Sequence, residues 1–213
     1  MGGEGSSEGA GTGTGVFNVV SGGQVIASNG LIIGLAGAGS MTISGSSTAT
    51  IEGAIMIGGG FAGGNLSSGL GALMINSGGT LINNFGALQI AGNQANVEVI
   101  GSNSAILITN GFIEVGSDLA AGSLSILSGS LLQQISTVEG DPNDGGMQII
   151  STNGQTSQVT VSGTNSRLLL STTFDPSNDA GLLEMGGGTL FITENTGNNL
   201  LTISNAKSLL SLC

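Results

Sequence analysis

Histidine, tryptophan and tyrosine are absent from this 213-residue chain, and cysteine occurs once, at Cys213. Without histidine, neither Ser-His-Asp nor Cys-His nucleophilic catalysis has its base. A lone cysteine forms no internal disulfide, and no Cys/His metal constellation is available. Basic residues are nearly as scarce: Arg167 and Lys207 stand against thirteen acidic residues, for a net charge of −11. Nucleic-acid binding rests on neutralising phosphates with Lys and Arg, so no nucleic-acid partner is expected. Anionic lipid surfaces are disfavoured on the same ground. No apolar run approaches the roughly 20 residues of a bilayer-spanning helix, so no membrane insertion is expected either. Met1-Gly2-Gly3-Glu4 opens an acidic segment, without the basic start and apolar stretch of a signal peptide.

What is abundant is small and turn-forming. Glycine supplies 41 residues and proline only two. No strict Gly-X-Y period appears, which excludes collagen. Gly, Ser, Thr and Asn favour turns and caps over helix interiors. Apolar residues are 39% of the chain and regularly placed, unlike the apolar-poor composition of disordered segments. The exception is residues 1–15, MGGEGSSEGAGTGTG, which read as a flexible Gly/Ser-rich segment.

From Val16 onward an apolar–x–apolar unit recurs. It reads Phe17-Asn18-Val19, Met41-Thr42-Ile43, Leu73-Met74-Ile75, Val97-Glu98-Val99, Leu124-Ser125-Ile126, Val159-Thr160-Val161 and Leu190-Phe191-Ile192. The last residues of these units are 24, 32, 24, 27, 35 and 31 apart. Recurrence in this range is the signature of stacked repeats. Each copy divides into three short alternating pieces. One copy runs Leu73-Met74-Ile75, Thr80-Leu81-Ile82 and Leu88-Gln89-Ile90, with Gly78-Gly79 and Asn83-Asn84 between them. Alternation over three to five residues marks strands with one buried face. The expected fold is all-β: a parallel β-solenoid over 16–213, with three short strands per coil and about seven coils, as the seven anchors count. A β-sandwich would explain the alternation but not the recurring three-strand unit. The exterior should be acidic and rich in Ser, Thr and Asn.

Gly39-Ser40-Met41-Thr42-Ile43-Ser44-Gly45, Gly71-Ala72-Leu73-Met74-Ile75-Asn76-Ser77-Gly78-Gly79-Thr80-Leu81 and Gly122-Ser123-Leu124-Ser125-Ile126 resemble the G-[ST]-L-x-I-x-x-G-G repeat of autotransporter passengers and PEP-CTERM proteins. The resemblance covers roughly residues 16–205 and lacks the Trp often found in that unit. It implies a right-handed parallel β-helix on an exported bacterial surface protein, extracellular or at the cell surface. It brings no catalytic residues with it.

Four features are candidates for chemistry. Asp141-Pro142-Asn143-Asp144 and Asp175-Pro176-Ser177-Asn178-Asp179 form a duplicated loop 34 residues apart, before Met147-Gln148-Ile149 and Leu183-Glu184-Met185. The oxygens of Asp141, Asn143, Asp144, Asp175, Asn178 and Asp179 are hard ligands suited to calcium. The same residues also suit plain turns. Glu98 and Glu114 share a repeat on different strands. Glu114, Gln148 and Glu184 should occupy equivalent outward positions, spacing Glu114 and Glu184 roughly 9–10 Å apart, near that of an inverting glycosidase pair. A solvated outer face explains them equally, and no enzymatic activity is expected. Gly58-Gly59-Gly60 and Gly186-Gly187-Gly188 lack the Lys and helix of a phosphate loop and read as corners. The stretch 58–71 reads as a loop leaving the stack. The ends form the fourth feature. Val16, Phe17, Val19 and Val20 at one end, with Leu200, Leu201, Ile203, Leu209 and Leu210 at the other, carry no edge-blocking device. They are the expected contacts for a second copy of the chain. The expected function is an extracellular filament or surface-appendage subunit. The alternative is an adhesin passenger presenting loops to a glycan or host surface.

Overall fold

The computed structural model describes residues 13–59, 69–117, 120–136, 146–151, 156–172, 183–185, 188–194, 200–204 and 209–210. All regular structure in them is β-strand, laid out as three seven-stranded sheets. The first coil consists of β1 (Thr14–Val19), β2 (Gln24–Ala27) and β3 (Leu31–Ile33). The second consists of β4 (Ala38–Ile43), β5 (Thr48–Glu52) and β6 (Ile55–Ile57). The third consists of β7 (Leu70–Asn76), β8 (Thr80–Phe85) and β9 (Leu88–Ile90). The fourth has β10 (Ala95–Ile100), β11 (Ala105–Thr109) and β12 (Ile113–Val115). The fifth has β13 (Gly122–Leu127), β14 (Leu131–Ser136) and β15 (Met147–Ser151). The sixth has β16 (Gln158–Ser162), β17 (Arg167–Thr172) and, after a short β18 (Leu183–Met185), β19 (Gly188–Glu194). A seventh, two-stranded coil has β20 (Leu200–Ser204) and β21 (Leu209–Leu210).

Each strand pairs in parallel with its equivalent one coil away. The sheet orders are β1-β4-β7-β10-β13-β16-β20, β2-β5-β8-β11-β14-β17-β21 and β18-β19-β15-β12-β9-β6-β3. The fold is therefore a parallel β-solenoid with three strands per coil, as the repeats predict. Only β18 runs antiparallel, against β19.

The inward positions stack on their own equivalents. Val19, Ile43, Ile75, Val99, Ile126 and Val161 form one continuous buried ladder on the first sheet. Ile33, Ile57, Ile90, Val115 and Ile149 form another on the third. The recurring unit also places Ile192 in this first ladder, and the structure corrects that expectation: Ile192 belongs to β19 on the third sheet, opposite Ile149, and Ile203 of β20 stands opposite Val161. Of the run 186–188 only Gly188 is among the described residues; it opens β19 and pairs with Met185 of β18.

Corners bring backbones too close for side chains. At Gly122 an added Cβ would sit 1.9 Å from the Ile90 carbonyl oxygen. Gly58 has φ 93°, and a Cβ there would meet the Ala91 carbonyl oxygen at 2.2 Å. Neither position accepts any larger residue without moving a neighbouring coil.

The exterior departs from the expected Ser/Thr/Asn surface. On the outer face of the second sheet one register line reads Ile26, Thr50, Ile82, Leu107, Gln133 and Leu169. Outward positions on this face are thus as apolar as they are polar.

Ile75 is fully buried between Ile43 and Val99. Ile75→Ala should cost about 3–5 kcal/mol, the loss expected where a rigid ladder cannot collapse onto the cavity. Ile75→Asp should prevent cooperative folding, since it buries an unpaired charge. Denaturant unfolding followed by circular dichroism checks both, and parent-like midpoints would refute the register.

Candidate functional site

At the first-coil end, β1, β2 and β3 pair with β4, β5 and β6. No described strand adds to the outer edge of β1 or β2. The inward side chains there lose half their cover. Phe17, Val25, Ala27 and Leu31 are only partly buried, although their neighbours Met41, Ala49, Ile51 and Ile55 are fully enclosed. Val19 alone among the inward residues of this coil's first two strands is buried. Outward on the same coil stand Val16, 66% exposed, and Ile26, 74% exposed, with Val20 and Ile32 also exposed. The end thus presents, among the described residues, the outer edges of β1 and β2 beside an apolar centre. At the other end Leu200, Leu201 and Ile203 lie on β20 opposite Gln158, Val159 and Val161. Leu209 and Leu210 lie on β21 opposite Arg167 and Leu168.

The proposed calcium ligands Asp141, Asn143, Asp144, Asp175, Asn178 and Asp179 lie outside the described residues. The strands they leave are adjacent: β14 and β17 end at the paired residues Ser136 and Thr172. The strands that follow are not equivalent, because Met147 pairs with Leu190 and not with Leu183. Gln134 fastens the base of the first loop. Its buried Nε2 donates to the Gly111 carbonyl at 3.0 Å, and its Oε1 accepts from the Gly146 N–H at 3.1 Å. Among the described residues no three acidic, histidine or cysteine side chains gather as a metal site.

The carboxylate pair is not assembled. Glu114 and Gln148 are register partners on the third sheet, but Phe191 takes the next equivalent place. Glu184 is on the antiparallel β18, opposite Thr189. The expected spacing of Glu114 and Glu184 along one ladder therefore fails, because the chain inserts a hairpin before it rejoins the sheet. Glu114 Oε2 instead accepts from Gln89 Nε2 at 3.4 Å. Glu98 faces outward from the first sheet, between Met74 and Ser125.

The corner between the first and second sheets carries a polar arrangement. Ser47, Ser104, Ser130 and Ser166 immediately precede their second-sheet strands and are completely buried. The Gly22 N–H donates to Ser47 Oγ at 3.1 Å, Gly78 to Ser104 at 3.1 Å and Gly129 to Ser166 at 3.0 Å. Each bond joins a turn to the serine of the next coil. Ser130 Oγ accepts from its own turn's Leu127 N–H at 2.9 Å and donates to the Val99 carbonyl of the coil before at 2.7 Å. The serines lock successive corners together.

Outside this buried line the turns differ in length. In the fifth coil Ser128-Gly129 suffices, with φ of 56° and 86°. The fourth and sixth coils each use one more residue, closed by the Ser104 N–H on the Gly101 carbonyl and the Ser166 N–H on the Gly163 carbonyl. Asn103 and Asn165 take the left-handed position in these longer turns, at φ 67° and 64°. Two long turns flanking a short one leave a notch of about 370 Å³. Ser102, Asn103, Ser128, Thr164, Asn165 and Arg167 contribute its polar lining.

No protein-family model matches the chain, and no curated protein or solved structure matches it either. Its functional reading rests on its own geometry. The buried serines and Gln134 were missed in the sequence. A Ser beside Gly reads as an ordinary turn residue, and only the recurrence of Ser one place before β5, β11, β14 and β17 marks the line.

Ser130→Ala removes an acceptor from Leu127 N–H and a donor from the Val99 carbonyl. It should destabilise by about 2 kcal/mol, the cost of orphaning buried polar groups. Ser128→Ala, two residues away and exposed, should change stability by less than about 0.5 kcal/mol. Urea midpoints of the two variants separate the roles.

Proposed function

We propose that the chain is an extracellular structural protein: a β-solenoid subunit of a surface appendage or filament that assembles end to end. The observation that carries this is the first coil. Its strands β1 and β2 gain no further strand on their outer edge among the described residues, and Phe17, Val25 and Leu31 are only partly buried there. A further parallel coil supplies both missing elements at once, backbone partners and apolar cover. A second copy offering β20 and β21 has strands of the matching sheets. Such a contact joins two different surfaces, so it propagates unless it closes into a ring. Export to the cell surface is supported by the autotransporter-like repeat sequence. The adhesin reading is favoured by a separate observation, the polar notch on the fourth to sixth coils.

Burial of apolar groups should supply most of the contact energy, with few charges involved. The assembly should therefore persist in about 1 M salt, where the screening length falls to ~3 Å. Electron microscopy should show fibres of uniform width, and sedimentation should show growth with concentration. Val25→Lys places a charge at the open end, at a site already half-exposed in the single subunit. It should abolish growth while lowering stability by less than about 1 kcal/mol. A parent chain that stays monomeric at its highest soluble concentration overturns the proposal.

A further inference from the structure

The notch on the first corner combines three properties that occur together nowhere else among the described residues. It is concave, its polar side chains are unengaged, and it holds a cation. Ser102, Asn103, Ser128, Thr164, Asn165 and Arg167 make no side-chain hydrogen bond or ion pair to any described residue. The buried serines directly beneath are all engaged. Three hydroxyls, two amides and one guanidinium thus line one hollow, exposed and without a side-chain partner among the described residues. Arg167 is the one cation among the described residues of a chain of net charge −11. No carboxylate lines the notch.

Size narrows the occupant. The walls belong to the fourth and sixth coils, two stacking intervals or about 9–10 Å apart. An α-helix with its side chains is about 10–12 Å across and does not enter. A single pyranose ring does. Chemistry narrows it further. Hydroxyls and amides both donate and accept, which suits a polyol. The Arg167 fork accepts a carboxylate in a bidentate pair. The apolar parts of Ala105 and Leu131 line the same space and can meet the C–H face of a ring. We infer that this notch is a binding site for a uronic acid, a carboxylated sugar unit within a glycan, with the carboxylate on Arg167 and the ring hydroxyls on Asn103, Asn165 and the flanking Ser and Thr.

This gives the adhesin reading a site and a ligand class. It is independent of end-to-end assembly, because the notch lies on the side of the fourth to sixth coils. The surrounding acidity opposes an anion only at long range, and at 0.15 M salt that repulsion decays over about 8 Å.

The test uses the full chain at a concentration where it is monomeric by sedimentation. The probes are the methyl glycosides of glucuronic and galacturonic acid, their neutral counterparts methyl glucoside and methyl galactoside, and acetate. Binding is read by NMR shifts of the Arg167 side chain and of the Asn103 and Asn165 amides. At least one uronide should bind with a Kd of the order of 1 mM, about −4 kcal/mol. The matching neutral glycoside and acetate should each bind at least about tenfold more weakly, as loss of a charged hydrogen bond or of the ring contacts requires. Arg167→Gln should weaken the uronide about tenfold. Asn165→Gly preserves the left-handed backbone and should weaken it severalfold. Both variants must unfold at the parent's temperature. Acetate binding as well as the uronides overturns the sugar assignment. Neutral glycosides binding equally overturns the role of Arg167. No shift with either uronide overturns the site, whatever sedimentation shows about filaments.

Discussion

Every coil is held to the next by parallel backbone pairing and by inward side chains resting on their own equivalents. The two act in one register, so a change at one rung is felt by the rungs above and below. This constraint explains why corners are built from Gly, Ser and Asn. A corner that grew on its inner side would shift the strand after it and break both the pairing and the ladder. Extra length must go outward, and the longer turns of the fourth and sixth coils do so while Ser104 and Ser166 stay in the buried line.

The same constraint governs polar residues inside. One inward line of the second sheet reads Ile51, Asn83, Ile108, Gln134 and Leu170. Both amides turn to the neighbouring corner. Asn83 Nδ2 donates to the Gly86 carbonyl at 3.2 Å, and Gln134 spans Gly111 and Gly146. Asn83 Oδ1 is the one buried side-chain polar atom among the described residues without a partner. An apolar side chain at Gln134 would leave the Gly111 carbonyl and the Gly146 N–H without these partners.

Alternation made the buried faces legible, and Gly clusters such as Gly78-Gly79 made corners legible, because both follow directly from strand and turn geometry; Asn83-Asn84, expected at a corner, instead lies within β8, with Asn83 buried. What alternation cannot carry is the identity of the sheet. Leu190-Phe191-Ile192 and Leu201-Thr202-Ile203 have the same apolar–x–apolar form, yet one belongs to the third sheet and the other to the first. The β18–β19 hairpin displaced the count, and Glu184 left the line of Glu114 for the same reason. The notch was illegible because its members come from three coils, 102–105, 128–131 and 164–167. Only the stacking interval, set by backbone pairing, brings them together. The apolar outer line of the second sheet was hidden for a different reason: its strands are apolar on both faces, so a consecutive run such as Ile106-Leu107-Ile108 does not say which member faces out.

A rod of identical coils has no landmarks, and a molecule sliding along it would find the same surface at every step. The alternation of turn lengths ends that equivalence. Among the described residues, a short turn lies between two long ones at a single level, the fifth coil. That level is an address on an otherwise repetitive axis. In a string of end-joined copies the address would recur once per subunit and not once per coil. Its spacing would then be set by the number of coils in the chain, so that lengthening the protein by one repeat would change the pitch of the marks without altering any one of them.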